Sequence, residues 1–202
     1  MVSGGGTNLQ ALIDAEKAGK IPHGKITLVI ASNDSAYALK RAENNDIETV
    51  VVKHKAYENQ DAFDKAIVET LHAHNIDMVV LAGYLSILGE TVIQAYRDRI
   101  INIHPSLIPS FCGKDYYGLK VHEGVLNRGV KVTGATVHFV DDGTDTGPII
   151  LQKAVEVHQD DTPKSLQLRV MEEAEWVIMP RAIDLIANGK VKVEGGKALI
   201  EQ

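Results

Sequence analysis

Asn102 and His104 stand two residues apart in Ile100-Ile101-Asn102-Ile103-His104-Pro105, a stretch where apolar and polar residues alternate. In a strand, residues i and i+2 share a face, so a carboxamide and an imidazole project together. Both are adjustable hydrogen-bond donors, and chemistry that builds negative charge on a carbonyl oxygen requires such a pair. Pro105 removes a ladder donor and holds His104 extended. The strand is expected to stop there, with both polar side chains at its carboxyl end, where open α/β sheets bind ligands. The bland alternative is a strand-end pair that caps backbone groups. The Pro-Ser-Leu-Ile-Pro run over 105–109 weakens it.

A second candidate is the glycine run Ser3-Gly4-Gly5-Gly6-Thr7-Asn8, followed by Leu9, Leu12 and Ile13 at helical spacing. A glycine turn entering a helix is an anion site, because free N–H groups and the helix dipole point the same way. Thr7 or Asn8 is expected as the N-cap. Leu9 stands where a dinucleotide fingerprint needs a third glycine, and the Gly-Lys-Ser/Thr of a P-loop is missing, so the spacing favours a single phosphate. A third candidate is the acidic run Asp141-Asp142-Gly143-Thr144-Asp145. Counted from Asp141 as a calcium loop, it puts Thr146 where glycine is needed and Gln152 where glutamate is needed, so that reading fails. Two readings remain: a solvated turn, or a loop from which one Asp fixes the tautomer and charge of His104.

The elements that must position these groups alternate along the chain. Strands are expected at 25–32, 48–52, 78–81, 100–104, 130–140 and 148–155, with helices at 36–44, 60–75, 90–96 and 119–127. Such alternation implies a parallel sheet with right-handed crossovers. The short link between the strands at 130–140 and 148–155 implies an antiparallel hairpin. Residues 162–187 read as one long helix that Pro180 kinks or divides, with Leu166, Val170 and Val177 facing the core. Residues 191–200, broken by Gly195-Gly196, read as a terminal hairpin. A glycine loop of this kind usually follows a buried strand. Almost nothing precedes it here, so either the first strand is truncated or the sheet edge differs from the usual form.

The chain has 202 residues and no repeats or linkers, which suggests one domain over 1–202. A formal net charge of −6, with no basic cluster, argues against a nucleic-acid partner. Cys112 is the single cysteine, which excludes an intramolecular disulfide and a thiolate zinc site. No metal is expected. Without a signal peptide or an 18-residue apolar run, a membrane partner is not expected and a cytoplasmic location is the default.

Taken together, Ser3–Gln10, Leu81-Ala82-Gly83-Tyr84, Asn102-Ile103-His104-Pro105-Ser106-Leu107-Ile108-Pro109 and the stretch 138–148 resemble the phosphoribosylglycinamide formyltransferase family of the folate-dependent formyltransferase superfamily. The resemblance covers nearly the whole chain. It implies a Rossmann-like α/β fold: an open, mostly parallel sheet flanked by helices, with an antiparallel hairpin toward the C-terminal part. It implies formyl transfer from 10-formyltetrahydrofolate, as co-substrate, to the amine of glycinamide ribonucleotide in purine biosynthesis, by a monomer or homodimer. Asn102, His104 and Asp145 match the catalytic trio. Gly5, Gly6, Thr7 and Asn8 match the ribonucleotide phosphate site, and Glu175 matches a glutamate on the ribose hydroxyls. Leu85, Ser86, Ile87 and Leu88 match one wall of the folate pocket; His138, Val140, Asp141 and Asp142 match the other. The chain departs from the family at Ser86, where an Arg is common, and in extra residues around 114–117. Two rivals share the residues: a formyltetrahydrofolate hydrolase, expected to carry a further N-terminal domain, and a non-catalytic binder of phosphate ligands. An enzyme formylating initiator tRNA would need a basic surface and a further C-terminal domain.

Overall fold

The computed structural model describes residues 1–201. The chain divides into two compact units, Met1–Asn102 and Ile103–Gln202. In the first unit, strand β1 (Leu28–Ala31) pairs in parallel with β2 (Glu48–Val51), Leu28 opposite Glu48 and Ala31 opposite Val51. Helix α2 (Tyr37–Glu43) makes the crossover. Strand β3 (Val79–Leu81) pairs in parallel with β4 (Ile100–His104), and Leu81 faces Asn102. Helices α1 (Thr7–Lys17), α3 (Gln60–Ala73) and α4 (Glu90–Ala95) complete the unit.

Val2 bridges Ala31 in parallel, and the Met1 carbonyl accepts a hydrogen bond from Ala82 N–H at 3.0 Å. Val2 is buried with Leu9, Ile13, Val29, Ala38 and Ala42. Ala38 and Ala42 have no side chain beyond Cβ, which lets α2 lie close to the loop that precedes α1.

In the second unit, α5 (Leu119–Arg128) leads to the antiparallel pair β5 (Val132–Phe139) and β6 (Ile149–Glu156). The register slips between Val137 and His138. Such a bulge re-aims the next side chain, here His138. The long helix expected over 162–187 is in three parts. They are α6 (Pro163–Val170), a π-turn over Met171–Glu175, and α7 (Trp176–Ala187) with Pro180 inside it. Pro180 has no N–H, and its ring crowds the carbonyl four residues back; the wide turn lies just upstream of that carbonyl. The wider turn changes the phase of the stripe. Leu166 and Val170 are fully buried as expected, but Val177 is 48% exposed, a correction to the simple helical count. Strands β7 (Val191–Glu194) and β8 (Lys197–Ile200) form the expected terminal hairpin. Gly195 and Gly196, at φ 56° and 75°, supply the two left-handed residues of its turn.

Parallel strand–helix units followed by antiparallel hairpins give the α/β class expected from the alternation of elements. Among the described residues, no helix is long and apolar enough to cross a membrane.

Candidate active site

Strand β4 ends at His104, as Pro105 requires. The segment after it is pinned by buried hydroxyls. Thr136 Oγ1 on β5 donates to the Ser106 carbonyl at 2.7 Å and accepts from Ile108 N–H at 3.1 Å. Gln152 on β6 donates to both Thr136 Oγ1 and the Ile108 carbonyl, each at 3.0 Å. Ser106 Oγ donates to the Ser110 carbonyl. These bonds carry the chain from His104 into the turn at 110–116.

The turn comes back onto His104. The imidazole is buried, and its Nε2 lies 2.8 Å from the Phe111 carbonyl. A carbonyl only accepts, so Nε2 carries the hydrogen. Nδ1 is thereby the nitrogen left for chemistry, and it faces Asp145 Oδ2 at 3.5 Å. The same carboxylate oxygen accepts Gly113 N–H at 2.9 Å. The other oxygen, Oδ1, faces His138 Nε2 at 3.6 Å. His138 Nδ1 bonds to the Phe139 carbonyl at 2.8 Å, so its ring orientation is fixed as well. One carboxylate thus lies between two buried imidazoles.

Asp145 reaches them because its loop folds back tightly on the end of β5. Phe139 N–H donates to the Pro148 carbonyl, and a Cβ on Gly147 would stand 2.0 Å from the Phe139 carbonyl oxygen, so only glycine fits. Asp145 itself adopts φ 57°, a left-handed conformation that Asp tolerates. Asp141 holds the turn by accepting from Gly143 N–H and the Thr146 hydroxyl. Asp142 is exposed and Val140 half-buried.

Burial lowers the His104 pKa below its usual 6.5; the Phe111 carbonyl and the Asp145 charge oppose that shift, and His138 reinforces it. His104 is therefore biased toward the neutral, Nε2–H form, with a lone pair on Nδ1. For Asp145, burial pushes the pKa up, but the His138 contact, Gly113 N–H and the charges of both imidazoles outweigh it, so the net shift is downward. The carboxylate stays charged beside a neutral imidazole that can accept a proton.

Sequence reasoning assigned His138 to a pocket wall through family resemblance; the structure puts it against Asp145. His122 escaped sequence reasoning altogether. It lies on the apolar face of α5 with Val121 and Val125, is fully buried, and neither ring nitrogen has a hydrogen-bond partner among the described residues. Burial and then the charge of His104 lower its pKa to about 4. Among the described residues, no group of three or more His, Cys, Asp or Glu is disposed to hold a metal.

The remaining candidates divide between the units. Asn102, half-buried, is the last residue of the first unit and shares β4 with His104. In that same unit, α1 begins at Thr7 with Gly6 as N-cap, at φ 70° and ψ 30°, and no side-chain cap, which corrects the expectation of Thr7 or Asn8. A Cβ on Gly6 would lie 2.6 Å from the Ala38 Cβ. The Gly4 carbonyl accepts Ala38 N–H at 3.1 Å, and the Gly5 carbonyl accepts Arg41 Nε–H at 2.8 Å. Helix α2 thus braces the loop through its carbonyls.

The 85–88 loop is tied down by Leu85 N–H to Ser3 Oγ and by Gln60 to the Ile87 carbonyl. Leu85 and Ile87 are 70% and 79% exposed, Ser86 is half-buried and Leu88 is buried. Leu85 and Ile87 are thus the apolar side chains that this loop exposes, while Leu88 is part of the buried core. In the second unit, Glu175 ends the π-turn and is buried, whereas Glu172 is exposed. The wide turn thus leaves Glu175 inward and Glu172 outward.

Comparison with known proteins places the chain. Its residues 1–183 match the formyl transferase family, and the chain belongs to that family. Phosphoribosylglycinamide formyltransferase of Bacillus subtilis is 41% identical over 175 residues, 86% of this chain and 87% of its own length, so the kinship extends to that branch. The chain is 44% identical to the trifunctional purine biosynthetic protein adenosine-3 of Bos taurus over 98% of its length, but spans only 19% of that protein. Among solved structures, glycinamide ribonucleotide transformylase 1 from Symbiobacterium toebii superposes with a TM-score of 0.92 at 43% identity, covering all of this chain and 92% of the other.

Proposed function

We propose that the chain, acting as one formyltransferase domain, moves a formyl group from 10-formyltetrahydrofolate to the amine of glycinamide ribonucleotide. The observation that supports it most is the state of His104: Nε2–H tied to the Phe111 carbonyl and Nδ1 turned to Asp145. The amine nitrogen attacks the formyl carbon, and the carbonyl electron pair moves onto oxygen to give a tetrahedral oxyanion. The amine proton passes to His104 Nδ1. Charged in this way, His104 through its new Nδ1–H and Asn102 through its carboxamide donate hydrogen bonds to the oxyanion, while the Asp145 charge beside Nδ1 stabilises the imidazolium. Collapse breaks the bond to the folate nitrogen, which takes the proton back.

Gly5, Gly6, Thr7 and Asn8 hold the phosphate, and Glu175 holds the ribose hydroxyls. Leu85, Ser86, Ile87 and Leu88 bind the pteridine, with Val140, Asp141 and Asp142 as the facing wall. His138 belongs to the same wall and also braces Asp145. Losing an oxyanion donor costs ~10²–10³ in rate, and losing a positioned proton acceptor costs ~10²–10⁴. Asn102→Ala, His104→Ala and Asp145→Ala should each fall in kcat by amounts in this range, followed by folate absorbance. Near-normal turnover in all three would rule the mechanism out.

A further inference from the structure

The tautomer of His104 is fixed by a main-chain carbonyl, that of Phe111, which sits in an unusual conformation. Phe111 has φ 50° and Asp115 has φ 72°, both in the left-handed region that large side chains avoid. Residues held so persist only where their surroundings over-determine them, and they cluster at functional sites. What holds Phe111 is a seat on α5. The Phe111 and Tyr116 rings meet edge to face, with centroids 6.0 Å apart and planes at 72°. Both lie on Gly124, in the middle of α5. A Cβ there would stand 2.9 Å from Tyr116 Cε1 and 3.3 Å from Phe111 Cδ1. Glycine inside a helix is normally unfavourable; here it makes room for two rings.

We propose that Gly124, Phe111 and Tyr116 form a positioning device that sets the tautomer of His104 through the Phe111 carbonyl, and that Gly124 is required for it. The proposal rests on the reading that His104 Nδ1 accepts the amine proton. With the carbonyl in place, the hydrogen is confined to Nε2 and the lone pair to Nδ1. If the rings are pushed off the helix, the carbonyl leaves Nε2, and neutral His104 distributes its hydrogen between both nitrogens. The same turn supplies Gly113 N–H to Asp145, so both catalytic side chains lose a partner together.

Gly124→Ala in the intact protein is the test. Alanine favours the helix, so thermal stability should hold or rise. Imidazole nitrogen NMR should show a single Nε2–H tautomer for wild-type His104 and a mixture in the variant. The kcat should fall about tenfold or more, as expected when a proton acceptor is mispositioned, and the acid limb of the pH profile should move to lower pH, because the Phe111 carbonyl raises the His104 pKa. Tyr116→Phe keeps the ring and should behave as wild type. Phe111→Ala removes the ring without touching α5 and should reproduce the Gly124→Ala spectrum, which covers the case in which Gly124→Ala does not fold. A wild-type tautomer and kcat in Gly124→Ala or Phe111→Ala would overturn the proposal, as would a mixed tautomer in the wild type. The spectra need no turnover. A chain that passes them yet transfers no formyl group would sink the proposed activity and leave the tautomer device standing.

Discussion

In the proposed mechanism His104 accepts a proton, which it can do only when uncharged, and its surroundings decide where that happens. Its pKa is lowered from 6.5 mainly by burial. Raising the pH through that lowered value deprotonates Nδ1 and creates the proton acceptor. The acid limb of kcat/KM should therefore fall below pH 6.5, and a limb above it, read from a pH–rate profile, would contradict the assignment. His122 gives a separate prediction about stability. Its folded pKa is about 4 against 6.5 in the unfolded chain, so the unfolded state binds more protons between these values. Stability should rise with pH through that window, and be lost as pH falls from 6.5 toward 4, by at most about 3 kcal/mol. His122→Met should flatten this loss in urea melts taken from pH 7 to pH 4. The Asn102 and His104 pair was legible because a strand's period is local. Asp145 was legible only as one of several acidic residues, since what selects it is the Gly147 fold-back and Gly113, neither encoded at short range. The partner role of His138 depends on a bulge that no periodicity announces.

Among the elements, the start of α1 and the break before α7 carry the most consequence. Gly6 combines a left-handed φ with no space for a side chain. Gly6→Ala should cost about 1–3 kcal/mol in stability. It should also raise KM for the ribonucleotide more than it lowers kcat, because the loop it distorts is assigned to binding and not to the reacting atoms. Steady-state kinetics with both substrates would separate the two effects. The helix and its glycine entry were readable from Leu9, Leu12 and Ile13. The cap was not, because Gly6 is selected by its approach to Ala38 on another helix. Pro180 announced a disturbance correctly, but not its form. A π-turn upstream of Pro180 buries Glu175 and turns Val177 outward, and only the whole helix against its neighbours decides that phase.

At the scale of the whole molecule, the order of strands and helices was readable from alternating patterns. The division at Asn102 was not, because it falls inside the continuous strand β4. Kinship to the formyl transferase family covers nearly the whole chain. That family membership makes the acceptor the deciding question: an amine for a transferase, water for a hydrolase, none for a binding protein. The most direct measurement is loss of 10-formyltetrahydrofolate with and without glycinamide ribonucleotide, with the formylated product quantified. The account predicts consumption only when the ribonucleotide is present, one formylated product per folate consumed, and loss of both in His104→Ala. Consumption at the same rate without the ribonucleotide, or ribonucleotide binding with no transfer at all, would contradict it.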